Sequence, residues 1–158
     1  MVCTCTLYFV WVVGMAVNQL NKPNKVIVHC LDTPDKPSKE GSLYDVEDVD
    51  QWHRDRGWDS VGYHWVITRD GILQQGRDEQ KIGAHCYGQN ENSLGVAYEG
   101  SYLPTMDQVV TFCDLYRQIY SVHKIDWSMW EPHYFYDENK ECPGFPIEAL
   151  RAVFRKLM

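Results

Sequence analysis

The alternation of apolar and polar residues along the chain predicts strands and helices in mixed order. Lys25 to Cys30 contains three adjacent β-branched residues, which is typical of a strand buried on both faces. A second strand is predicted from Val61 to Thr68, and Asp70-Gly71 marks a tight hairpin turn between it and Ile72-Leu73. Ser93 to Glu99 is predicted to form another strand.

Helices are predicted where apolar residues recur at helical spacing behind a capping residue. Asp45 caps the first helix, which ends at Gly57, and Thr105 with Gln108 forms a capping box before the second. Pro146 is placed in the first turn of the last helix. The residues predicted to face the core are Met106, Val109, Val110, Cys113, Tyr116, Ile119 and Tyr120 in the second helix, and Ile147, Leu150, Val153, Phe154 and Leu157 in the last.

This order predicts an α/β fold: a single domain with a central mixed β-sheet flanked by helices. A chain of 158 residues that is 44% hydrophobic is long enough to bury a real core. The segments 32–42 and 123–146 contain turn formers and no regular pattern, so both are predicted to be irregular.

Residues 1–20 are treated as an apolar N-terminal extension, and residues 21–158 as the domain. The apolar run at 7–17 is 11 residues long, too short for a confident membrane span, and no basic leader precedes it. A signal or anchor, a buried strand and an artefact of start-site choice remain open for this run.

Charge and cysteine content narrow the classes of function. A net charge of -7 and a pI of about 5.3 argue against binding to phosphate backbones, so no nucleic acid partner is expected. The six cysteines include no CxxC pair, and we interpret them mainly as reduced thiols. A disulfide between Cys30 and Cys86 stays open as an alternative.

Candidate metal ligands occur at two places in the chain. His133 and Cys142 lie in a segment rich in turn formers, with Lys140 close to the cysteine. His29 ends the first predicted strand, where side chains of an α/β sheet converge on a crevice. Two imidazoles and a thiolate leave one position of a tetrahedral zinc open, which is the catalytic arrangement. We therefore predict a zinc site in a cleft at the edge of the sheet.

The remaining histidines differ in their sequence context. His53 is predicted to be solvated on a polar helix face, and His123 suits the dipole at a helix end. His64 lies in a predicted strand, so it and Tyr63 cannot both face the same crevice. His85, in a glycine-flanked loop, is the strongest functional candidate of this group.

Four sequence blocks carry a family resemblance, in the order VIVHC at 26–30, QWHRDRGWDSVGYHWVITRDG at 51–71, GRDEQKIGAHCYGQNENSLGVAYEG at 76–100 and KECPGF at 140–145. With them, residues 25–157 resemble the zinc-dependent N-acetylmuramoyl-L-alanine amidases, a group that includes phage amidase-type lysozymes and animal peptidoglycan recognition proteins. The small lysozymes of T-odd phages are most alike. The spacing from His133 to Cys142 is one residue longer than this resemblance leads us to expect, which predicts a bulged loop.

The resemblance implies a role for eight residues and one Zn²⁺ ion. The implied metal ligands are His29, His133 and Cys142, the implied catalytic residues are Tyr63 and Lys140, and the implied substrate-binding residues are His85, Asn90 and Asn92, with Gly88 in the same loop. Tyr63 would assist catalysis, and Lys140 would support the transition state.

The implied activity is hydrolysis of the amide between N-acetylmuramic acid and L-alanine in bacterial peptidoglycan, through a zinc-activated water. An endolysin-like, bacteriolytic enzyme of this kind is expected to be a monomer that waits in the host cytoplasm before lysis and then acts on the cell wall. Three alternatives remain open: a non-catalytic peptidoglycan-binding module, an amidase that also regulates phage RNA polymerase, and a hydrolase with Cys30 or Cys142 as its nucleophile.

Overall fold

A computed structural model describes residues 20–34 and 44–157, and a five-stranded mixed sheet lies at its centre. The strands are β1 (Lys25–Cys30), β2 (Trp65–Ile67), β3 (Leu73–Gln75), β4 (Ser93–Tyr98) and β5 (Trp130–Pro132), in the spatial order β3-β2-β4-β1-β5. β1 pairs in parallel with β4 and β5, β2 pairs in parallel with β4, and only β3 among them runs antiparallel to its neighbour. The predicted α/β fold with a mixed sheet is confirmed.

Two strand predictions need correction. The stretch 123–146, predicted to be irregular, contains the edge strand β5, which at three residues is too short to show an alternating pattern. β2 covers Trp65–Ile67 rather than the whole of the predicted span from Val61. The backbone before β2 bonds elsewhere, because the Gly62 N–H donates to a side chain of the first helix.

Three helices cover the sheet: α1 (Val46–Asp55), α2 (Met106–His123) and α3 (Ile147–Arg155). Short 3₁₀ turns precede and follow β5 at Trp127–Met129 and His133–Phe135. Both predicted N-termini are confirmed, since Asp45 with Asp48 and Thr105 with Gln108 form capping boxes. Pro146 is the N-cap of α3 rather than a residue of its first turn.

The core lies between the sheet, α2 and α3, and it is built on aromatic side chains. The rings of Tyr116 and Phe154 stack with centroids 4.6 Å apart, and Trp130 of β5 meets Phe154 edge-on at 4.9 Å. Met106 and Val110, predicted to be core residues, are 76% and 56% exposed. Apolar residues occupy most of the circumference of α2, so the pattern did not reveal which stripe faces the sheet. The buried stripe includes Phe112 and Leu115 instead, and Val153 of α3 is partly exposed.

The parallel strands bring chemistry-bearing residues to one edge of the sheet. The register pairs Val28 of β1 with Pro132 of β5, so His29 and His133 follow these paired positions on adjacent strands. Gln108 of α2 holds the end of the neighbouring strand, because its buried amide donates to the Glu99 carbonyl at 2.8 Å. The strand end that carries His29 is therefore held by strand pairing on both sides of β1, and the neighbouring strand end is held by the hydrogen bond from Gln108 of α2.

Within the part of the chain that the structure describes, the four cysteines Cys30, Cys86, Cys113 and Cys142 are free thiols. The alternative of a Cys30–Cys86 disulfide is thus wrong, and reduced thiols are confirmed there. No helix among the described residues has the length and apolar character needed to cross a bilayer. The predictions for the apolar run at 7–17 and for positions 35–42 of the first loop fall outside the described residues.

Candidate metal centre

Three potential metal ligands converge at the carboxyl edge of the sheet. His29 is the penultimate residue of β1, His133 begins the turn after β5, and Cys142 lies in the loop before α3. One donor atom from each of the three lies within 4.8 Å of the others, close enough for one cation to reach all of them. His29 is 1% exposed, and its ring centroid is 4.5 Å from that of His133. The structure thus brings together the ligand set that the sequence indicated.

Backbone groups hold Cys142 beside β1. The N–H of Cys30 donates to the Cys142 sulfur at 3.1 Å, and the N–H of Tyr134 donates to the Cys142 carbonyl at 3.0 Å. The long spacing after His133 is taken up by turns closed by the Tyr136 and Lys140 N–H groups. The neighbouring Cys30 side chain and burial raise the pKa of the Cys142 thiol. A bound cation would offset both effects, and the Cys30 N–H is placed to stabilise the thiolate.

Tyr63 and Lys140 line the same cleft as the three candidate ligands. The cleft has a volume of about 850 Å³, is open to solvent, and is lined by all three candidate ligands. The Tyr63 ring lies 5.1 Å from the His29 ring, and burial raises the pKa of the Tyr63 phenol. The Lys140 side chain is exposed, and it also borders a second cavity of about 420 Å³ next to the cleft. Both residues therefore border the space next to the three candidate ligands, and their catalytic roles stay a prediction.

The three predicted substrate-binding residues are placed differently from one another. His85 and Asn90 line the second cavity. The Asn90 side-chain oxygen accepts the backbone N–H groups of His85 and Cys86 at 2.8 and 2.9 Å, which shapes this loop. Asn92 is exposed just before β4, with a φ of 62°. Contact of these residues with a substrate stays a prediction.

The remaining wall of the cleft was not predicted from the sequence. It is formed by Asp32, Arg56, Ser101 and Tyr102, in addition to residues around Cys142. Asp32 lies two residues after the end of β1, which is a signal that strand-end reasoning could have used. Arg56 and Tyr102 come from the loops after α1 and β4, and their approach depends on loop paths that no local pattern reveals.

His64 and His53 are both buried. His64 lies one residue before β2 rather than within the predicted strand, and it does not line the cleft that Tyr63 lines. His64 faces away from the metal centre, because its Nδ1 accepts the Gly95 N–H at 2.9 Å and its Nε2 lies 3.0 Å from the Lys81 carbonyl. His53, predicted to be solvated, is 4% exposed. Its Nδ1 accepts the Gly62 N–H at 2.9 Å, and its ring packs on Trp58 at 4.5 Å. No local pattern indicates these contacts, because Trp58 and Gly62 lie beyond the end of α1.

His53 should make the stability of the protein depend on pH. Burial, followed by the charge of Arg56, lowers its pKa to about 4 from the usual 6.5. The unfolded chain therefore takes up a proton first, and stability is lost as the pH falls from about 6.5 to about 4, by up to about 1.4 kcal/mol per pH unit. We expect His53→Gln, whose amide oxygen can still accept the Gly62 N–H, to reduce this slope by about one proton. Urea unfolding at several pH values measures it, and equal slopes for the two proteins would contradict the assignment.

The fold and the site together define an α/β protein with a candidate metal-binding site in an open cleft. The chain belongs to the N-acetylmuramoyl-L-alanine amidase family, whose model matches residues 19–145. The family resemblance expected from the four sequence blocks is thus confirmed.

Individual relatives agree with this family. The endolysin of Escherichia phage T7 is 43% identical over 82 residues, which are 52% of this chain and 51% of that protein. The endolysin of Enterobacteria phage T3 is 45% identical over 75 residues, or 48% of this chain and 46% of that protein. The chain therefore spans about half the length of the curated relatives it matches.

A solved structure shows the same fold over most of both chains. The N-acetylmuramoyl-L-alanine amidase LysC from Clostridium intestinale superimposes with a TM-score of 0.73 at 27% identity, covering 85% of this chain and 87% of that one. These comparisons give no support to a phage RNA polymerase as a partner.

Proposed function

We propose that this chain is a peptidoglycan hydrolase that cleaves the amide between N-acetylmuramic acid and L-alanine. The observation that carries the proposal is the convergence of His29, His133 and Cys142 at the floor of an open cleft, in a chain of the amidase family. One described chain contributes all three ligands, which supports action as a monomer. We place its action at the bacterial cell wall, after release from the host cytoplasm.

The donor set fits one zinc ion. Imidazole nitrogen and thiolate sulfur are the ligands that zinc prefers, whereas magnesium and calcium require oxygen. The Cys30 N–H aimed at the Cys142 sulfur supports a charged thiolate there. When bound, zinc would supply a water acidic enough to form hydroxide near neutral pH and a Lewis acid for the substrate carbonyl.

The chain's own residues add stabilising charge and hydrogen bonds around the reacting carbonyl. Hydrolysis of an amide turns its planar carbonyl carbon tetrahedral, and negative charge develops on the carbonyl oxygen. Lys140 lines the cleft that contains the three candidate ligands, and its ammonium offers a cation for that charge. The Tyr63 side chain lines the same cleft beside the His29 ring, and its hydroxyl offers a donor. Both groups therefore favour the transition state over the planar substrate.

The shape of the site suits a substrate that extends in two directions. The cleft of about 850 Å³ and the adjoining cavity of about 420 Å³ share His133 and Lys140 as lining residues. The proposed scissile amide joins a sugar-borne lactyl group to a peptide, so the two sides of the bond need separate space. Two cavities that meet at His133 and Lys140 provide it.

Product analysis on purified peptidoglycan tests the proposal. We expect new L-alanine amino termini and no new reducing sugars, with activity lost to a chelator and restored by zinc. A non-catalytic module would bind the peptidoglycan and release nothing. A hydrolase with a cysteine nucleophile would survive metal removal, and a glycosidase would produce reducing ends.

A further inference from the structure

We propose that His85 and Ser93 form a hydrogen-bond relay that fixes the tautomer and ring orientation of His29, so that His29 presents Nδ1 to the metal. The inference rests on the proposed function, because it concerns the ion that His29 would hold. It assigns His85 as a positioning residue that acts through His29.

The hydrogen bonds of Ser93 determine which atom donates in each bond of the relay. The Ser93 Oγ lies 2.6 Å from the backbone carbonyl of Gln89, and a carbonyl oxygen only accepts. The single hydroxyl hydrogen of Ser93 is therefore committed to Gln89. The Ser93 Oγ also lies 3.2 Å from Nε2 of His85, so in that contact Ser93 must accept. His85 consequently carries a hydrogen on Nε2.

The inner end of the relay sets the tautomer of His29. A neutral imidazole with its hydrogen on Nε2 has a lone pair on Nδ1. The Nδ1 of His85 lies 3.1 Å from Nε2 of His29, so His29 must donate there. The lone pair of His29 is then on Nδ1, the ring nitrogen left for the cation. Metal-ligating histidines generally use their second nitrogen in this way, and the partner fixes the ring.

Burial makes the relay rigid. Ser93 is fully buried, His29 is 1% exposed and His85 is 8% exposed, so water has little access to replace either bond. Gly95 and Gly83 leave room for the His85 ring, since a Cβ at either glycine would lie 2.5 Å from a ring carbon. The cavity is thus shaped around one ring position.

This arrangement gives His85 a different role from the predicted contact with substrate. Both of its ring nitrogens are engaged inside the protein, one by Ser93 and one by His29. Neither nitrogen is left to bind a sugar or peptide group while the relay is intact. The ring edge still borders the second cavity, where it contributes surface only.

Nitrogen NMR of the 158-residue chain tests the tautomer directly. In ¹⁵N-labelled protein without metal, we expect the His29 hydrogen on Nε2 and the lone pair on Nδ1, and on adding Zn²⁺ we expect the Nδ1 resonance of His29 to shift as that of a ligand. A His29 hydrogen on Nδ1, or coordination through Nε2, would overturn the relay.

Zinc affinity gives a second readout that needs no peptidoglycan. His85→Phe keeps a ring but removes the acceptor, and we expect zinc binding about 10- to 100-fold weaker in a chelator competition. His85→Gln, whose amide oxygen can accept from His29, should recover part of this loss. The control is His123→Gln, which alters a partly buried histidine at the end of α2 that bonds to Glu79, and it should leave zinc affinity unchanged.

The outcomes separate the relay from the proposed function. Unchanged zinc affinity in His85→Phe would overturn the relay and leave the amidase proposal standing. A wild-type chain that binds no zinc would refute the proposed function, and the tautomer in the metal-free chain would still decide the relay.

Discussion

Replacing Cys142 with serine should remove zinc and amidase activity together. A serine hydroxyl does not ionise in the range where the thiol does, so the site would keep two neutral imidazoles and lose its only anionic candidate ligand among the described residues. The Cys30 N–H that now points at the sulfur would face a neutral oxygen. We expect zinc content near background and no measurable release of L-alanine amino termini.

Metal analysis of the purified variant, alongside turnover of peptidoglycan, checks this expectation. Cys113→Ser is the matched control, because Cys113 is a free buried cysteine of α2, outside the cleft. Cys113→Ser should keep full zinc content and activity, even if the variant is less stable than the wild type. If Cys142→Ser retained zinc and the wild-type rate, the ligand assignment would be wrong.

Lys140→Ala should separate catalysis from metal binding. Lys140 lines the cleft but is not among the three converging donors, so zinc content should stay at the wild-type level. Loss of a single stabilising donor typically lowers kcat by about a hundredfold or more, and we expect that loss here. Because the charge is used mainly in the transition state, KM should change much less than kcat.

Steady-state kinetics on a soluble muropeptide, with zinc analysis of the same samples, makes the measurement. Lys140→Arg keeps the charge and should recover part of the rate. Lys156→Ala, at an exposed lysine that ends α3, controls for net charge and should behave as wild type. A variant that lost zinc along with activity would show that Lys140 supports the metal centre instead.

The sequence contained the ligands but not the framework that orients them. His29 was recognisable because it ends a strongly apolar strand, and His133 and Cys142 because they lie close together in a turn-rich segment. β5 was not recognisable, since its three residues owe their pairing to β1 rather than to their own pattern. Short edge strands are decided by tertiary contacts.

The same limit explains the misplaced side chains. Met106 and His53 both sit on helices whose existence was correctly predicted, yet each was assigned to the wrong environment. Helical periodicity shows which residues share a face of the helix. It does not show which of several apolar faces packs on the sheet, and it does not show which loop covers a polar face. The hydrogen bond from the Gly62 N–H to His53 is such a contact, made by a loop that covers a polar helix face.

The short edge strand has a consequence for how the protein holds together. β5 is attached to β1 by three paired positions, and His133 follows it immediately. An ion shared by His29 and His133 would join two points about a hundred residues apart in the chain, and would act as a cross-link beside the strand pair. Edge and ion would then form one cooperative unit, so the outermost strand would come away from the sheet more readily whenever the ion left.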